Sequence, residues 1–254
     1  MPDGKNTERF AGKSDVYQSA RPGYPEELSI ELQQLCSISN GTRIADLGSG
    51  TGIFSKLLLD TGAEVVGVEP NSDMRQAAEQ DLADFERFRS ISGSAEKTNL
   101  QPETVDVVTA AQAFHWFDTD MTVREIKRIT KTKPLVALVW NQRDTSDTFQ
   151  SAYDEALRSI LPEYEHVVHT RVEDSQIESL FLPVSFDYRE WGHSQVFDLE
   201  QFQNRMASSS YVPTETNPIR QRLDGVMQGL FREFQNNGTV DFRYVTKLYV
   251  GVLA

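Results

Sequence analysis

A short glycine-rich segment, Asp46-Leu-Gly-Ser-Gly-Thr-Gly52, constrains this sequence more than any other feature. It lies between Arg43–Leu47, which has a strand pattern, and Ile53–Asp60, which has the apolar spacing of a helix. Glycine permits the sharp turn of a strand–loop–helix unit and lets a ligand approach the main chain. Such turns also occur without ligands, so the meaning of this loop depends on the pattern around it.

Strands and helices alternate along the following chain, and this order predicts an α/β fold. Alternation at this spacing favours a doubly wound parallel sheet with right-handed crossovers. The other predicted strands are Glu64–Glu69, Phe88–Ser92, Val105–Ala110, Leu135–Trp140 and Val240–Val252, with strand-like pieces in 184–196. The other predicted helices are Glu26–Ser37, Ser72–Phe85, a helix capped by Asp118 or Asp120 that ends at Ile129, Asp147–Leu161, Leu199–Met206 and Ile219–Phe234.

The length of 254 residues suits one large domain, or one domain with a cap. We expect an N-terminal lid and helix over residues 1–39 and a cofactor-binding core over residues 40–145. Residues 146–254 are expected to supply a helical substrate cap and the C-terminal strands of the same domain.

The net charge of −13 disfavours nucleic acid as a partner, because an acidic surface repels phosphate backbones. The basic residues that cluster most closely lie at the end of a predicted helix, where cations complement the helix dipole. They are Lys127, Arg128, Lys131 and Lys133.

Metal and membrane sites are not expected either. Cys36 is the only cysteine, and His166 and His169 lie in a polar stretch without metal-ligand spacing. Residues 1–10 contain no apolar run, and no segment approaches the roughly 20 apolar residues of a membrane helix. The prediction is a cytoplasmic enzyme.

Two ligands compete for the glycine loop. A dinucleotide site expects Gly-x-Gly-x-x-Gly, but Ile53 occupies the position of the third glycine. Asp46 would also repel a pyrophosphate and attract a cation. S-adenosylmethionine carries a sulfonium and an ammonium and has no phosphate, so electrostatics favour it. A phosphate-binding Walker loop is excluded because no Gly-Lys-Ser/Thr follows.

Two further acidic residues follow predicted strands. Glu69 ends the second strand, which Pro70 terminates, and its carboxylate can accept bonds from both ribose hydroxyls of an adenosine. Glu96, in the loop Gly93-Ser-Ala-Glu96, can accept a bond from an adenine amino group. The alternatives are a surface strand end for Glu69 and a solvated loop acid for Glu96.

At these residues the chain resembles the class I S-adenosylmethionine-dependent methyltransferases, over roughly residues 40–140. The matching segments are Asp46–Gly52, Gly67–Glu69, Gly93–Glu96 and Asp106–Phe117. The segment Tyr17–Pro25 and the pair His115-Trp116 are most similar to a small-molecule subgroup that includes the trans-aconitate methyltransferase of yeast.

The resemblance implies a Rossmann-like fold with seven strands, mostly parallel, of which the last, Val240–Val252, is antiparallel. It implies that Asp46, Gly48 and Gly50 surround the methionine moiety and that Glu69 holds the ribose. Glu96 stands where an aspartate is common in the family. The full set of predicted cofactor residues is Tyr17, Arg21, Asp46, Gly48, Ser49, Gly50, Glu69, Pro70, Met74, Ala95, Glu96 and Ala111.

Methyl transfer is an in-line displacement that depends on alignment, and a base is needed only if the nucleophile loses a proton. His115, after the fourth strand, is the candidate base; alternatively, it and Trp116 are walls of the pocket. Asn141 and Arg143 end the fifth strand at the same edge of the sheet. The residues predicted to contact the substrate are Tyr24, Trp116, Trp140 and Tyr211.

The sequence therefore predicts an S-adenosylmethionine-dependent methyltransferase with a small-molecule acceptor, for which a carboxylic acid is one candidate. A natural-product or quinone-pathway O- or C-methyltransferase with an apolar acceptor is the alternative within this fold. A nicotinamide-dependent dehydrogenase and a non-catalytic binding module are the alternatives from other classes.

Overall fold

The computed structural model describes residues 23–162, 164, 174–209 and 211–253. A seven-stranded sheet forms its centre, and eight helices of these residues accompany it. The strands are β1 Arg43–Leu47, β2 Glu64–Val68, β3 Phe88–Ile91, β4 Val107–Ala111, β5 Leu135–Arg143, β6 Phe186–Phe197 and β7 Val240–Val252. The helices are α1 Glu26–Leu35, α2 Ile53–Asp60, α3 Ser72–Asp81, α4 Thr119–Ile129, α5 Thr148–Ile160, α6 Asp174–Phe181, α7 Leu199–Ala207 and α8 Pro218–Phe234.

The strand order is β3-β2-β1-β4-β5-β7-β6. Strands β1 to β5 pair in parallel, whereas β7 is antiparallel to both of its neighbours, β5 and β6. The predicted doubly wound, mostly parallel sheet with an antiparallel last strand is confirmed. The direction of winding reverses between β1 and β4, and ligands of such folds bind beside the carboxyl ends of the strands at this point.

Polar side chains begin several helices by accepting bonds from the first free main-chain N–H groups. Asp118 accepts from Met121 N at the start of α4, and Asp147 accepts from Gln150 N at the start of α5. Asp198 and Gln201 form a reciprocal capping box on α7. Of the two caps predicted for α4, the structure therefore selects Asp118.

Apolar side chains pack on both faces of the sheet. One buried cluster joins β1, β4 and β5 to α4 and α6, and another joins the opposite face to α1 and α2. A third buried cluster lies among α5, α7, α8 and the adjoining ends of β6 and β7. These three helices correspond to the helical cap expected from the sequence, while the residue bounds of the predicted divisions stay predictions.

Strands β5 and β7 extend beyond the carboxyl end of β4. The last β4–β5 pair is Ala111 with Val139, whereas β5 continues to pair with β7 as far as Arg143 with Tyr244. The third cluster is therefore attached to the sheet at the edge where folds of this kind bind their ligands.

Several predicted boundaries are corrected. Strand β4 begins at Val107 rather than Val105, because Val105 forms an isolated bridge with Thr130. The strand-like pieces of 184–196 are one continuous strand, β6, and helix α6 had no sequence prediction. Four more elements, β3, α5, α7 and α8, differ from the prediction by one residue at one or both ends. Four others differ at their C-terminal end. Strand β2 ends at Val68, α1 at Leu35, α3 at Asp81 and β5 at Arg143.

Some predicted residues lie outside the described part of the chain: Tyr17, Arg21, His166 and His169. Within the described part, no His, Cys, Asp and Glu side chains form a group of three or more that could hold a metal ion. None of the described helices combines the length and the apolar character that crossing a membrane requires.

Candidate active site

The glycine loop between β1 and α2 contains three left-handed residues. The φ angles are 68° at Gly48, 55° at Gly50 and 82° at Gly52. A Cβ atom at Gly48 would lie 2.6 Å from the Cβ of Ala113, so the close packing of the chain itself requires this glycine. A Cβ atom at Gly50 would have only the Met74 sulfur, at 3.6 Å, near it. The main chain at Gly50 is therefore open to a ligand.

Asp46 lies inside the sheet directly before this loop and is only 1% exposed. Its two carboxylate oxygens accept bonds from Ser55 Oγ at 2.7 Å and from Thr109 Oγ1 at 3.0 Å. Burial raises the pKa of Asp46 to about 6, against the lowering effect of both hydroxyls, and the negative Glu69 raises it further. Because Asp46 is almost completely buried beneath the loop, it acts on a ligand through its charge more than through a direct bond.

Glu69 follows β2 at the same edge of the sheet. Its Oε2 accepts from Gly50 N at 3.1 Å, and its Oε1 accepts from Asn71 N at 2.9 Å. Burial raises the pKa of Glu69, although these two main-chain donors and Arg75 oppose the shift. A carboxylate offers about four acceptor positions. Two of them stay available for hydroxyl groups of a ligand.

The residues after Glu69 hold the end of β2 in place. Arg75 Nη1 donates to the main-chain oxygens of Glu69 and Pro70, both at 2.8 Å. The Asn71 side chain caps α3 by accepting from Met74 N at 3.1 Å. Met74 is buried and faces the glycine loop, whereas Pro70 is exposed. Arg75 and Asn71 were not predicted as site residues, since their role depends on main-chain atoms rather than on a motif.

The loop after β3 contains Ala95, which is buried, and Glu96. Glu96 Oε1 accepts from Asp118 N at 2.9 Å, so it connects this loop to the start of α4. The contact of Glu96 with adenine stays a prediction. One of its carboxylate oxygens, Oε1, already accepts the bond from Asp118 N.

The end of β4 lies beside the glycine loop. After Ala111, Gln112 adopts a φ of 58°, which is uncommon for a residue other than glycine. Gln112 N donates to Val139 O at 2.9 Å, and its Nε2 donates to Asn141 O at 3.1 Å. Backbone strain of this kind is concentrated at functional sites. No sequence signal marks Gln112, because the sequence does not show a positive φ at a glutamine.

His115 and Trp116 lie in a 3₁₀ turn over Phe114–Trp116, directly after β4. Their rings are 4.6 Å apart, and both residues are partly exposed. Phe114 is buried and packs edge-on against Phe117 at 5.7 Å. The turn therefore presents the imidazole at the carboxyl edge while the two phenylalanines anchor it.

The other predicted substrate residues lie in different places. Tyr24 packs edge-on against Phe54 of α2 at 5.2 Å. Trp140 is 8% exposed and packs in the core against Tyr249. Tyr211 contacts the ring of Tyr164 in the third cluster. The structure does not bring these three side chains together, and their contact with an acceptor stays a prediction.

Glu96, Glu69, the glycine loop, the His115 turn and Asn141 follow one another along the carboxyl edge from β3 to β5. This edge offers open main chain at Gly50, acceptor oxygens at Glu69 and two buried carboxylates. Such an arrangement suits an elongated, cationic nucleoside and disfavours a pyrophosphate.

Comparison with known proteins gives a match of residues 45–138 to the methyltransferase domain family. Among relatives, the chain is 26% identical over 248 residues to the uncharacterized methyltransferase C25B8.09 of Schizosaccharomyces pombe, covering 93% of this chain and 94% of the relative. It is 34% identical over 139 residues to the uncharacterized methyltransferase Rv3342 of Mycobacterium tuberculosis, covering 53% of each chain.

Solved structures share the fold. A proposed type II methyltransferase from Anaeromyxobacter dehalogenans superposes with a TM-score of 0.67 at 23% identity, over 91% of this chain and 97% of the other. A Haemonchus contortus phosphoethanolamine N-methyltransferase 2, solved with S-adenosyl-L-methionine, gives 0.56 at 15% identity, over 96% of this chain and 58% of the other. These structural likenesses confirm the Rossmann-like fold predicted from the sequence.

Proposed function

Since this chain is an S-adenosylmethionine-dependent methyltransferase, we propose that it holds the cofactor across the carboxyl edge of the sheet and methylates a small-molecule acceptor. The observation that carries the proposal is the pair of buried carboxylates, Asp46 and Glu69, on either side of the open main chain at Gly50. This pair attracts a sulfonium nucleoside and repels a phosphate.

The strand order gives the direction in which the cofactor would lie. Glu69 at the end of β2 would accept bonds from the ribose hydroxyls, so the adenine would lie toward β3, near Ala95, Glu96 and Met74. The methionine end would then lie near the glycine loop and β4. The remaining proposed cofactor residues are Gly48, Ser49, Pro70 and Ala111, together with Tyr17 and Arg21 outside the described residues.

The residues around the turn after β4 would place the acceptor. The bound cofactor supplies a methyl group that is activated by the positive charge on sulfur. Transfer of this methyl group to the acceptor atom would leave S-adenosylhomocysteine. Where the acceptor must lose a proton, His115 is the proposed proton acceptor, because it is a partly exposed imidazole at this edge.

We propose a small-molecule acceptor on the basis of the resemblance to the small-molecule subgroup that includes the yeast trans-aconitate methyltransferase. A carboxylic acid is the acceptor class that this resemblance favours. The charge of −13 argues against nucleic acid as the acceptor. The proposed location is the cytoplasm.

Ligand-dependent melting of the full chain tests the cofactor site. S-adenosylhomocysteine at one hundred times its Kd should stabilise the protein by about 2.7 kcal/mol. For a chain of this size, that corresponds to a rise in Tm of roughly 5–10 °C. NAD is the matched control ligand and should leave Tm unchanged. Stabilisation by NAD but not by S-adenosylhomocysteine would replace this proposal with the dehydrogenase.

Transfer of a labelled methyl group tests turnover separately. The protein, labelled S-adenosylmethionine and a pool of small metabolites should give labelled products that wild type forms and Gly50→Val does not. Binding of S-adenosylhomocysteine without any labelled product in such pools would favour the binding module.

A further inference from the structure

A second group of buried and half-buried polar side chains lies within the third hydrophobic cluster, beyond the carboxyl edge of β5. We call it the arginine–tyrosine cluster, and it consists of Arg143, Tyr153, Asp154, Tyr164, Arg205 and Tyr211. Arg143 ends β5, Tyr153 and Asp154 belong to α5, and Arg205 belongs to α7. Neither the cofactor site nor the core packing explains why two guanidinium groups are buried here.

An ion pair and a hydrogen bond hold the guanidinium of Arg143 in place, but they use only one of its two terminal nitrogens. Its side chain is 8% exposed, and its Nη2 lies 2.7 Å from Asp154 Oδ1 and also bonds to the Tyr164 hydroxyl. Its Nη1 is buried and has no hydrogen-bond partner among the residues that the structure describes. A buried guanidinium nitrogen without an acceptor is costly, and native proteins rarely keep one without a reason.

Arg205 is also buried, with 9% of its surface exposed. Its Nε donates to the Tyr244 hydroxyl at 3.0 Å, and its Nη1 donates to Ser209 Oγ at 3.3 Å. Its guanidinium also lies over the ring of Phe242, at 5.6 Å from the centroid. Among the described residues no carboxylate lies within ion-pair distance of Arg205, although buried charges are normally paired.

Positive charge therefore exceeds negative charge in the cluster. Asp154 is its one carboxylate, and Asp154 also pairs with Arg158 at 2.8 Å. Burial raises the pKa of both Tyr153 and Tyr164, so these hydroxyls stay neutral. A cationic surplus buried in a chain of net charge −13 indicates a place built for an anion.

A second unsatisfied group lies one helical turn before Asp154. Gln150 is fully buried, and within the described part of the chain neither its Nε2 nor its Oε1 has a hydrogen-bond partner. Residues four apart on a helix face the same side. Gln150 and Asp154 therefore share one side of α5, so a buried amide donor lies one helical turn from the carboxylate that pairs with Arg143.

The cluster lies next to the proposed methyl-transfer site along β5. Asn141 accepts a bond from Gln112 at the end of β4, and its side chain bonds to Thr246 of β7 at 2.5 Å. Arg143 is two residues further on the same face of β5 and is paired with Tyr244. Two residues of a strand span about 7 Å, which a small organic acid can bridge.

We propose that the arginine–tyrosine cluster binds a carboxylate of the acceptor that is not itself methylated. Arg143 Nη1 donates to this carboxylate, Arg205 supplies the second positive charge, and the reacting atom is thereby directed toward the His115 turn. The inference rests on the proposed function, and it makes the acceptor an organic acid with a reactive group a few ångströms from its carboxylate.

Calorimetric titration of the full chain, saturated with S-adenosylhomocysteine, tests the site with malonate and succinate as probes. At least one dicarboxylate should bind wild type, while its dimethyl ester should not. Arg143→Gln should weaken that binding tenfold or more without changing the affinity for S-adenosylhomocysteine. Arg220→Gln is the matched control, because Arg220 is similarly buried but paired with Asp224 on α8, and it should bind the dicarboxylate like wild type.

If Arg143→Gln does not fold, Arg143→Lys replaces it, since lysine keeps a charge beside Asp154 but loses the forked donor geometry. Weaker dicarboxylate binding by this variant supports the inference, and equal binding overturns it. Absence of dicarboxylate binding to a wild type that binds S-adenosylhomocysteine overturns the inference alone. Absence of S-adenosylhomocysteine binding overturns the proposed function instead.

Discussion

At the scale of one residue, Asp46 shows how a buried carboxylate gives the site negative charge. It is buried beneath the glycine loop, and two hydroxyl groups replace the water that it loses. The two hydroxyl groups do not fully compensate for the lost water, since burial still raises the pKa of Asp46 to about 6. The folded protein therefore carries an ionised carboxylate that would be more stable in water, and the charge is available to a cation.

The pH dependence of stability should show the free-energy cost of burying the ionised Asp46 carboxylate. The pKa of Asp46 rises from 3.8 to about 6 on folding, so its contribution to stability is full below pH 3.8 and is lost as the pH rises through 6. The loss amounts to about 3 kcal/mol. Asp46→Asn removes it, because an amide can still bond to Ser55 and Thr109. The difference in unfolding free energy, variant minus wild type, should therefore increase by about 2–3 kcal/mol from pH 4 to pH 7.

Urea titrations at several pH values measure this difference in unfolding free energy. Asp106→Asn is the control, because its effect on stability should depend on pH in the opposite direction. Although partial burial raises the pKa of Asp106, the Arg43 N–H and Lys131 hold it below its ordinary value, so its contribution is lost as the pH falls. A difference between Asp46→Asn and wild type that stays constant with pH would contradict the buried charge at Asp46.

Glu69 gives a second prediction for a single side chain. Glu69→Gln keeps the shape but removes the charge, and its amide would face one of the two main-chain donors, Gly50 N and Asn71 N. We expect the affinity for S-adenosylhomocysteine to fall by roughly 1.5–3 kcal/mol, the value of bonds to a charged acceptor. Calorimetric titration measures it, with Glu64→Gln at the exposed start of β2 as the control. Unchanged affinity in Glu69→Gln would place the ribose elsewhere.

At the scale of elements, the glycine loop needs glycine for two different reasons, close packing of the chain and space for a ligand. Gly48 is required by the packing of the chain itself, whereas Gly50 faces open space, where we propose that the cofactor binds. Gly48→Ala combines a left-handed φ with overpacking against Ala113, and it should destabilise the fold by about 2–4 kcal/mol. Gly50→Ala should cost only about 1–2 kcal/mol of stability, from its φ.

The affinity for S-adenosylhomocysteine should be affected more in Gly50→Ala, which is the less destabilised of the two variants. Gly50→Ala should lose most of its affinity for S-adenosylhomocysteine although it stays folded, since the new methyl group projects into the proposed site. Urea unfolding and calorimetric titration of both variants measure this pair. A Gly50→Ala protein that binds like wild type would exclude the loop as the cofactor site.

Elements with strong local signals were predictable from the sequence. The bounds of β1, α2 and β7 agree with the prediction at every residue, because each has an apolar pattern bounded by turn residues. Strand β6 was only partly predicted, since one side of it faces solvent and Gly192 interrupts it. Helix α6 was missed because only three of its eight residues are apolar, Ile177, Leu180 and Phe181, whereas α2 has five and directly follows the glycine loop.

The candidate site was predictable only where a motif is local. The glycine loop and Glu69 follow consecutive strands, so their position follows from the topology of the sheet. Arg143 and Arg205 are far apart in sequence, and only the packing of α5 and α7 against β5 and β7 brings them into one cluster. Their buried, unsatisfied state has no signature in residue order.

At the scale of the whole molecule, the three buried clusters share strands. Strand β7 contributes Leu248 to the cluster beneath α1 and α2 and contributes Phe242 to the cluster among α5, α7 and α8. Strand β5 likewise joins the core of the sheet to Arg143. Separate unfolding of the helical cap would break the β5–β7 and β6–β7 pairing at one end, so we expect the two parts to unfold together.

Matched cavity variants in two clusters test this cooperativity. Leu32→Ala in α1 and Leu223→Ala in α8 each truncate a fully buried leucine, and each should cost about 2–5 kcal/mol. In a chain of this size, that lowers Tm by roughly 4–20 °C. Calorimetry should show one transition in wild type and in both variants, with circular dichroism and tryptophan fluorescence changing at the same temperature. A second transition that moves in Leu223→Ala but not in Leu32→Ala would mean that the cap unfolds independently of the sheet, despite the strands that they share.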